Sequence, residues 1–98
     1  MPASKTAGAV DRDEALAIFA HERCSDPRAW GNGPGDTYGR HEHPRAKVLF
    51  CLDGSIVFHT NEGDVALSAG DRLDLPAGTE HAATVGPSGC ACVEAWGP

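Results

Sequence analysis

The chain has few positive charges, no long apolar stretch and no apolar run in its first residues. It carries 8 Lys and Arg residues against 14 Asp and Glu residues, which gives a net charge of −6 at pH 7. A nucleic-acid backbone requires a basic surface, so this balance argues against a nucleic-acid partner. No apolar run approaches the length of a membrane span, and the first residues show no signal-peptide pattern. We therefore expect a cytoplasmic protein that binds neither nucleic acid nor membrane.

The length and the cysteine content favour one small domain with free thiols. The 98 residues, of which 41% are hydrophobic, can build one modest core. In the cytoplasm Cys24, Cys51, Cys90 and Cys92 are expected to stay reduced. Cys90 and Cys92 are also too close in sequence for an unstrained disulfide within one strand. A core of this size is helped by a partner, and an apolar outer sheet face would favour a homodimer.

The N-terminal quarter predicts a short helix before the sheet. Residues 11–23 have a helical pattern in which Asp11 is the N-cap and Glu14 completes a capping box, with Leu16 and Phe19 facing the body. Residues 25–39 are rich in glycine and proline and predict loops around a short strand near Trp30. We divide the single domain into a tail and helix (1–26) and a barrel (27–98).

From residue 47 onward the sequence alternates short strands with turns. Asp53-Gly54 is a two-residue hairpin signal, and further turns are predicted at 61–63 and 86–89. The predicted strands are 47–52, 55–60, 65–67, 72–75, 81–85 and 90–96. This rhythm is typical of a β-sandwich or barrel, in which two packed sheets leave few exposed edges.

Three histidines are spaced so that strands could bring them together. His41 and His43 point to the same face of an extended strand, with about 6.6 Å of backbone between them. His81 follows a Pro-Ala-Gly turn at 76–78, which would deliver a neighbouring strand to the same place. Because imidazoles are common metal ligands, the pattern predicts a three-histidine metal site.

The same residues resemble the two signature motifs of the cupins. His41, His43 and Gly54 match the first motif, and Gly70, Pro76, Gly78 and His81 match the second, although Val85 stands where an Asn is frequent. The resemblance implies an all-β cupin jelly roll, also called a double-stranded β-helix, with a short N-terminal α-helix. It also implies a homodimer, as in many cupins. One position departs from the pattern, because Lys47 replaces the glutamate ligand of the first motif.

Lys47 leaves two functions open. In the first, His41, His43 and His81 bind a divalent metal ion (Zn, Fe, Ni, Mn or Cu) beside a pocket for a small, possibly anionic molecule. If this protein is an enzyme, a dioxygenase-like or isomerase-like reaction is expected, with Lys47 and Glu94 as catalytic proton carriers. However, an ammonium ~5 Å from the ion would repel it by roughly 6 to 7 kcal/mol at an effective dielectric of ~20. In the alternative function, a metal-free, non-enzymatic pocket or sensor binds a small acid through protonated Lys47.

The remaining candidates have structural as well as functional interpretations. Glu94 either pairs with Lys47 inside the barrel or lies in solvent. Cys51 is a soft ligand, a reactive thiol or a small core residue, and His59 is expected outside the site. His21, Glu42 and Glu80 are expected in solvent. Four aromatic residues either shape the pocket or pack the core or a dimer interface: Trp30, Tyr38, Phe50 and Trp96.

Overall fold

The computed structural model describes residues 3–98, which form seven strands and one helix. The elements are β1 (Ser4–Thr6), α1 (Arg12–His21), β2 (Ser25–Asn32), β3 (Thr37–His41), β4 (Lys47–Thr60), β5 (Gly63–Ser68), β6 (Arg72–Leu75) and β7 (His81–Trp96). Every strand pairing is antiparallel. The predicted all-β class with a short N-terminal helix is therefore confirmed.

Two long strands, β4 and β7, organise the sheet. They pair along their length, from Lys47 opposite Trp96 to Thr60 opposite His81. The first half of β4 has β6 as its other neighbour and the second half has β5, while the two halves of β7 pair with β3 and β2. Apolar residues of both halves, such as Leu49 and Phe58, belong to one buried cluster. The sheet thus folds over a shared interior.

The predicted hairpin at Asp53-Gly54 and the predicted turn at 86–89 are both wrong, because β4 and β7 continue through these segments. The register between the two strands shifts on either side of Gly54, which is the mark of β-bulges. Gly54 has φ +70, and a Cβ placed on it would lie 2.0 Å from the carbonyl oxygen of Gly89. Gly54 and Gly89 therefore lie at a bend in two paired strands and not in hairpin turns. Both halves of β4 pair with β7, and the two halves of β4 do not pair with each other. The turn at 61–63 is confirmed by the pairing of Thr60 with Gly63.

Helix α1 begins as predicted and ends earlier than predicted. The Asp11 side chain caps it by accepting a hydrogen bond from the backbone N–H of Glu14 at 2.9 Å. The helix ends at His21 and not at Arg23, because Arg23 takes a left-handed conformation with φ 62. Phe19 is buried against the Phe50 ring, with 5.6 Å between ring centroids. The helix thus covers the outer face of β4 and β7, and partly buried Leu16 faces the same way.

Two segments predicted as irregular contain strands. The tail includes β1, which pairs with β6 from Ser4 opposite Asp74 to Thr6 opposite Arg72. Within residues 25–39, the strand at Trp30 spans all of β2, and Thr37 already belongs to β3. Glycine and proline therefore did not prevent pairing here, because β7 offers a long partner to both strands. In the part of the chain that is described, no helix is long and apolar enough to cross a membrane.

Candidate metal centre and cavity

The three predicted histidines lie together at one end of the folded sheet. His41 ends β3 and His81 begins β7, and the two are register partners; His43 follows β3 by two residues. One ring nitrogen from each lies within 4.8 Å of the others. The ring centroids are 4.3 to 5.2 Å apart. The cluster is therefore compact enough for three imidazoles to share one ion.

Backbone carbonyls orient two of the rings. Nδ1–H of His41 donates to the carbonyl oxygen of Gly39 at 2.7 Å, and Nδ1–H of His81 donates to that of Thr79 at 2.8 Å. A carbonyl only accepts, so Nδ1 carries a proton in both rings, and in the neutral imidazole Nε2 is then the nitrogen with the free lone pair. Hydrogen bonds of this kind fix metal-binding imidazoles in other proteins.

The electrostatic environment keeps two of the imidazoles, His43 and His81, in the form that binds metals. Burial, reinforced by the positive charge of Lys47, holds the pKa of His43 below its ordinary value. Burial also lowers the pKa of His81, and the hydrogen bond to Thr79 opposes this shift in part. Both rings are therefore neutral near pH 7. This donor set suits divalent ions that accept imidazole ligands.

Lys47 enters the site together with a counter-ion. Its Nζ lies 2.9 Å from Oε2 of Glu94 and donates to Nε2 of His43 at 3.3 Å. The other oxygen of Glu94 accepts a hydrogen bond from Nε1–H of Trp30 at 2.7 Å. The Lys47 and Glu94 side chains are only 11% and 14% exposed. Of the two placements left open for Glu94, the structure shows the pair with Lys47.

The histidines open onto a cavity of about 260 Å³. Its polar lining consists of the cluster, the Lys47–Glu94 pair and one further cation, Arg28. Trp30 and Tyr38 meet edge to face at a centroid distance of 5.7 Å and form part of the wall. The remaining lining is apolar: Leu49, Phe58, Leu75 and Ala83. The arrangement can hold a small molecule with one end at the histidines and its body against the apolar side.

Several other candidates lie outside this cavity. Cys51 is fully buried in the core and does not line it. Nδ1–H of His59 donates to Asp64 at 2.8 Å, and Nε2 forms a hydrogen bond with the hydroxyl of Thr84 at 2.9 Å. Phe50 packs beneath the helix. His21, Glu42 and Glu80 are exposed, as predicted.

Trp96 is near the site without being part of the cavity lining. Its ring centroid is 5.3 Å from that of His43, and Nζ of Lys47 lies 4.8 Å above the ring. The second contact is a cation–π interaction, which helps to hold the ammonium where it is. Among the aromatic candidates, Trp30, Tyr38 and Trp96 thus lie in or beside the site, and Phe50 packs in the core.

Sequence reasoning missed Arg28 and the apolar wall. The signal for Arg28 was strand alternation, because it lies two residues before Trp30 and shares its face. Leu49 is related to Lys47 in the same way. Arg28 was passed over because the loop prediction for 25–39 removed this alternation. The residues of the apolar wall lie on strands that were predicted, but their place around the cavity depends on how those strands pair.

Comparison with known proteins agrees with this geometry. The sequence profile described as Cupin domain matches residues 32–92. The comparison with curated proteins finds no match. Among solved structures, one of the DMSP lyases RdDddP and RnDddQII is similar over 74% of this chain, with 27% identity and a TM-score of 0.68, and this chain covers 37% of its length.

Two further structures show the same architecture. A conserved protein with a double-stranded beta-helix domain from Klebsiella pneumoniae matches with 27% identity and a TM-score of 0.64, over 74% of this chain and 65% of its own. Acireductone dioxygenase from Bacillus anthracis, with a cadmium ion in its active center, matches with 15% identity and a TM-score of 0.65, over 88% of this chain and 58% of its own. The chain thus spans less than two thirds of these three proteins.

The profile match covers both histidine motifs and more than half of the chain. The fold, an antiparallel sheet with one short helix, is that of the structural neighbours. Three histidines that could bind a metal lie close together at its cavity. This chain belongs to the Cupin domain family.

Proposed function

We propose that this protein binds a divalent metal ion through His41, His43 and His81 and holds a small molecule in the adjoining cavity. The observation that carries the proposal is the convergence of three imidazole nitrogens within 4.8 Å at the end of that cavity. Two of these rings present Nε2 because backbone carbonyls engage Nδ1. At the third ring, Nε2 of His43 accepts a hydrogen bond from Nζ of Lys47, which a bound ion would replace if it used that nitrogen.

The residues present fit such an ion, although no carboxylate belongs to the cluster. When bound, a divalent ion would supply a Lewis acid that polarises an oxygen or sulfur atom of the ligand. The metal remains one of Zn, Fe, Ni, Mn or Cu, all of which accept imidazole. The acireductone dioxygenase structure, which contains cadmium, supports metal binding by a similar fold.

The neighbouring side chains define what the protein itself contributes. Lys47 carries its proton at Nζ between His43 and Glu94, so it is placed to donate to a ligand atom that approaches His43. Glu94 holds the Lys47 ammonium in place through their ion pair, and the hydrogen bond from Trp30 fixes the orientation of the Glu94 carboxylate. The apolar wall excludes water from the opposite side of the cavity. If the protein is an enzyme, of a dioxygenase-like or isomerase-like kind, Lys47 and Glu94 are the residues that would move protons.

The Lys47–Glu94 pair weighs against the metal-free alternative. An acid-binding pocket centred on Lys47 needs an ammonium that is available to the ligand. Here the ammonium already has an anionic partner at 2.9 Å and lies over the Trp96 ring. A ligand carboxylate would have to compete with Glu94 for the same proton donor.

Imidazole resonances test the proposal directly. We expect one equivalent of Zn²⁺ to shift the ring ¹⁵N resonances of His41, His43 and His81, with the Nε2 signals of His41 and His81 taking the values of metal-bound nitrogen. His21 and His59 lie outside the cluster and are internal controls. Unchanged spectra, or equal shifts in all five histidines, would contradict the proposal.

The homodimer and the cytoplasmic location stay predictions from the sequence. Sedimentation equilibrium of the untagged protein tests the first, and fractionation of the source cells tests the second. A dimer is expected to persist at micromolar concentration because a core of this size gains stability from a partner. A monomer at that concentration would contradict this expectation.

A further inference from the structure

The cavity contains an unbalanced charge. Its lining has two permanent cations, Arg28 and Lys47, and one carboxylate, that of Glu94. Glu94 is committed to Lys47 through one oxygen and to Trp30 through the other. The lining residues alone therefore leave one positive charge in excess, and a divalent ion at the histidines would add to it.

The excess charge is located on Arg28. Within residues 3–98, no carboxylate lies within 4.0 Å of its guanidinium, although Glu94 is its register partner on β7. Arg72 provides the contrast, because it has carboxylate partners in both Glu22 and Asp74. Arg28 thus brings the five N–H donors of its guanidinium to the cavity lining, and this cation has no fixed counter-ion there.

The size and the polarity of the cavity restrict the molecule that could complete it. At about 260 Å³ the cavity is below the range of drug-sized sites. Its apolar wall of Leu49, Phe58, Leu75 and Ala83 favours a short hydrocarbon body. One planar guanidinium matches one carboxylate in a bidentate pair, and the apolar wall favours an anion with a hydrocarbon body over inorganic phosphate.

We propose that the cavity binds a small monocarboxylate with a short apolar body, and that Arg28 binds its carboxylate. The proposal deepens the proposed function and rests on it in one respect, that the cavity beside the histidines is the ligand site. The hydrocarbon body of the molecule then lies against the apolar wall of the same cavity. Arg28 is accordingly a residue that determines specificity for an anion over a neutral molecule of the same shape.

Butanoate and its neutral counterpart butanamide are suitable probes. Their dissociation constants are measured by backbone amide shifts in the wild type, in Arg28→Gln and in Arg12→Gln, each with and without Zn²⁺. Arg12 is an exposed residue at the start of helix α1 and provides a control with the same charge change. Arg28 is exposed, so its replacement is expected to leave the fold intact, and the same spectra verify this.

We expect the wild type and Arg12→Gln to bind butanoate about tenfold to a hundredfold more tightly than butanamide, as a charged hydrogen-bonded pair would require. Arg28→Gln should bind both probes equally and weakly, and Arg28→Lys should recover part of the preference. Equal affinity for acid and amide in the wild type would overturn the proposal. So would an unchanged preference in Arg28→Gln, or Arg28-dependent binding of inorganic phosphate that is tighter than that of butanoate.

The same samples separate this inference from the proposed function. Histidine resonances report Zn²⁺ binding independently of the probes. An Arg28-dependent preference for butanoate without any histidine response supports the carboxylate site and contradicts the metal centre. Zn²⁺ binding at the histidines without that preference contradicts the carboxylate site alone.

Discussion

Nζ of Lys47 lies 2.9 Å from Oε2 of Glu94, so the lysine in place of the motif glutamate has a carboxylate partner from another strand. Lys47 begins β4 and Glu94 lies near the end of β7. The repulsion that the lysine alone would exert on a bound cation is thereby offset by a charge of opposite sign. This relationship explains how a three-histidine site and a lysine can occupy the same cavity.

The first prediction concerns metal affinity. Removing the ammonium in Lys47→Met leaves the Glu94 charge near the histidines, so Zn²⁺ should bind about tenfold or more tightly than in the wild type. Glu94→Gln leaves the ammonium uncompensated and should weaken binding by a similar factor. A chelator competition titration measures both. The double variant should lie between the two, and a change in the same direction for both single variants would refute the electrostatic account.

The second prediction concerns stability without metal. Glu94→Gln should lower the free energy of unfolding by about 2 to 4 kcal/mol, because the Lys47 ammonium is then buried without an anion. Urea denaturation measures this loss. In a Lys47→Met background the same Glu94→Gln change should lower the free energy of unfolding by less, because it then leaves no buried ammonium without a partner. Equal costs in both backgrounds would show that the two residues do not interact.

The third prediction distinguishes a bulge glycine from an open-turn glycine. Gly54→Ala should lower the free energy of unfolding by about 3 kcal/mol or more, because a Cβ would lie 2.0 Å from the Gly89 carbonyl oxygen. Gly35 has a similar φ, +74, but a Cβ at this position would meet no other atom within 4 Å. Gly35→Ala should therefore cost only about 1 to 2 kcal/mol, which is the strain of the left-handed backbone. Urea titrations compare the two, and equal losses would contradict the bulge geometry.

The fourth prediction concerns acid stability. Arg72 donates to both oxygens of Glu22 at 2.6 and 2.7 Å, and these bonds hold the pKa of Glu22 below its ordinary 4.5. The folded state thus favours the carboxylate, so the stabilisation is present above the unfolded pKa and is lost as pH falls through the folded pKa. Because the pair is partly exposed and screened, Glu22→Gln should cost about 1 kcal/mol or less at neutral pH.

This difference should vanish in strong acid. Unfolding free energies of wild type and Glu22→Gln, measured from neutral pH downward, should converge once the pH is below the lowered pKa. Glu62→Gln, in the exposed turn between β4 and β5, is the control and should follow the wild type throughout. A constant gap between wild type and Glu22→Gln at every pH would contradict the ionic contribution.

Much of the site could be predicted because its signals are local. The two-residue spacing predicted His41 and His43 on one side of the backbone, although β3 ends at His41, and the turn before His81 was expected to bring that residue to them. The cap at Asp11 was equally local, since it depends on four consecutive residues. These inferences needed no knowledge of distant partners.

The features that were missed depend on partners far apart in sequence. Asp53-Gly54 has the composition of a hairpin turn, but pairing with β7 made it a bulge. The choice between solvent and Lys47 for Glu94 required the register of β4 against β7. Arg28 was missed because the strand whose alternation places it on the face of Trp30 was predicted as loop, and that strand pairs with the distant β7. Such long-range pairing is set by the whole sheet and is not encoded in any one segment.

Metal content of the untagged protein, purified without chelator or added metal, tests the central claim most directly. The account predicts close to one divalent ion per chain by elemental mass spectrometry, lost in the variant with His41, His43 and His81 replaced by Ala and retained in His59→Ala. Absence of metal from the wild type, persisting after incubation with each candidate ion, would contradict it.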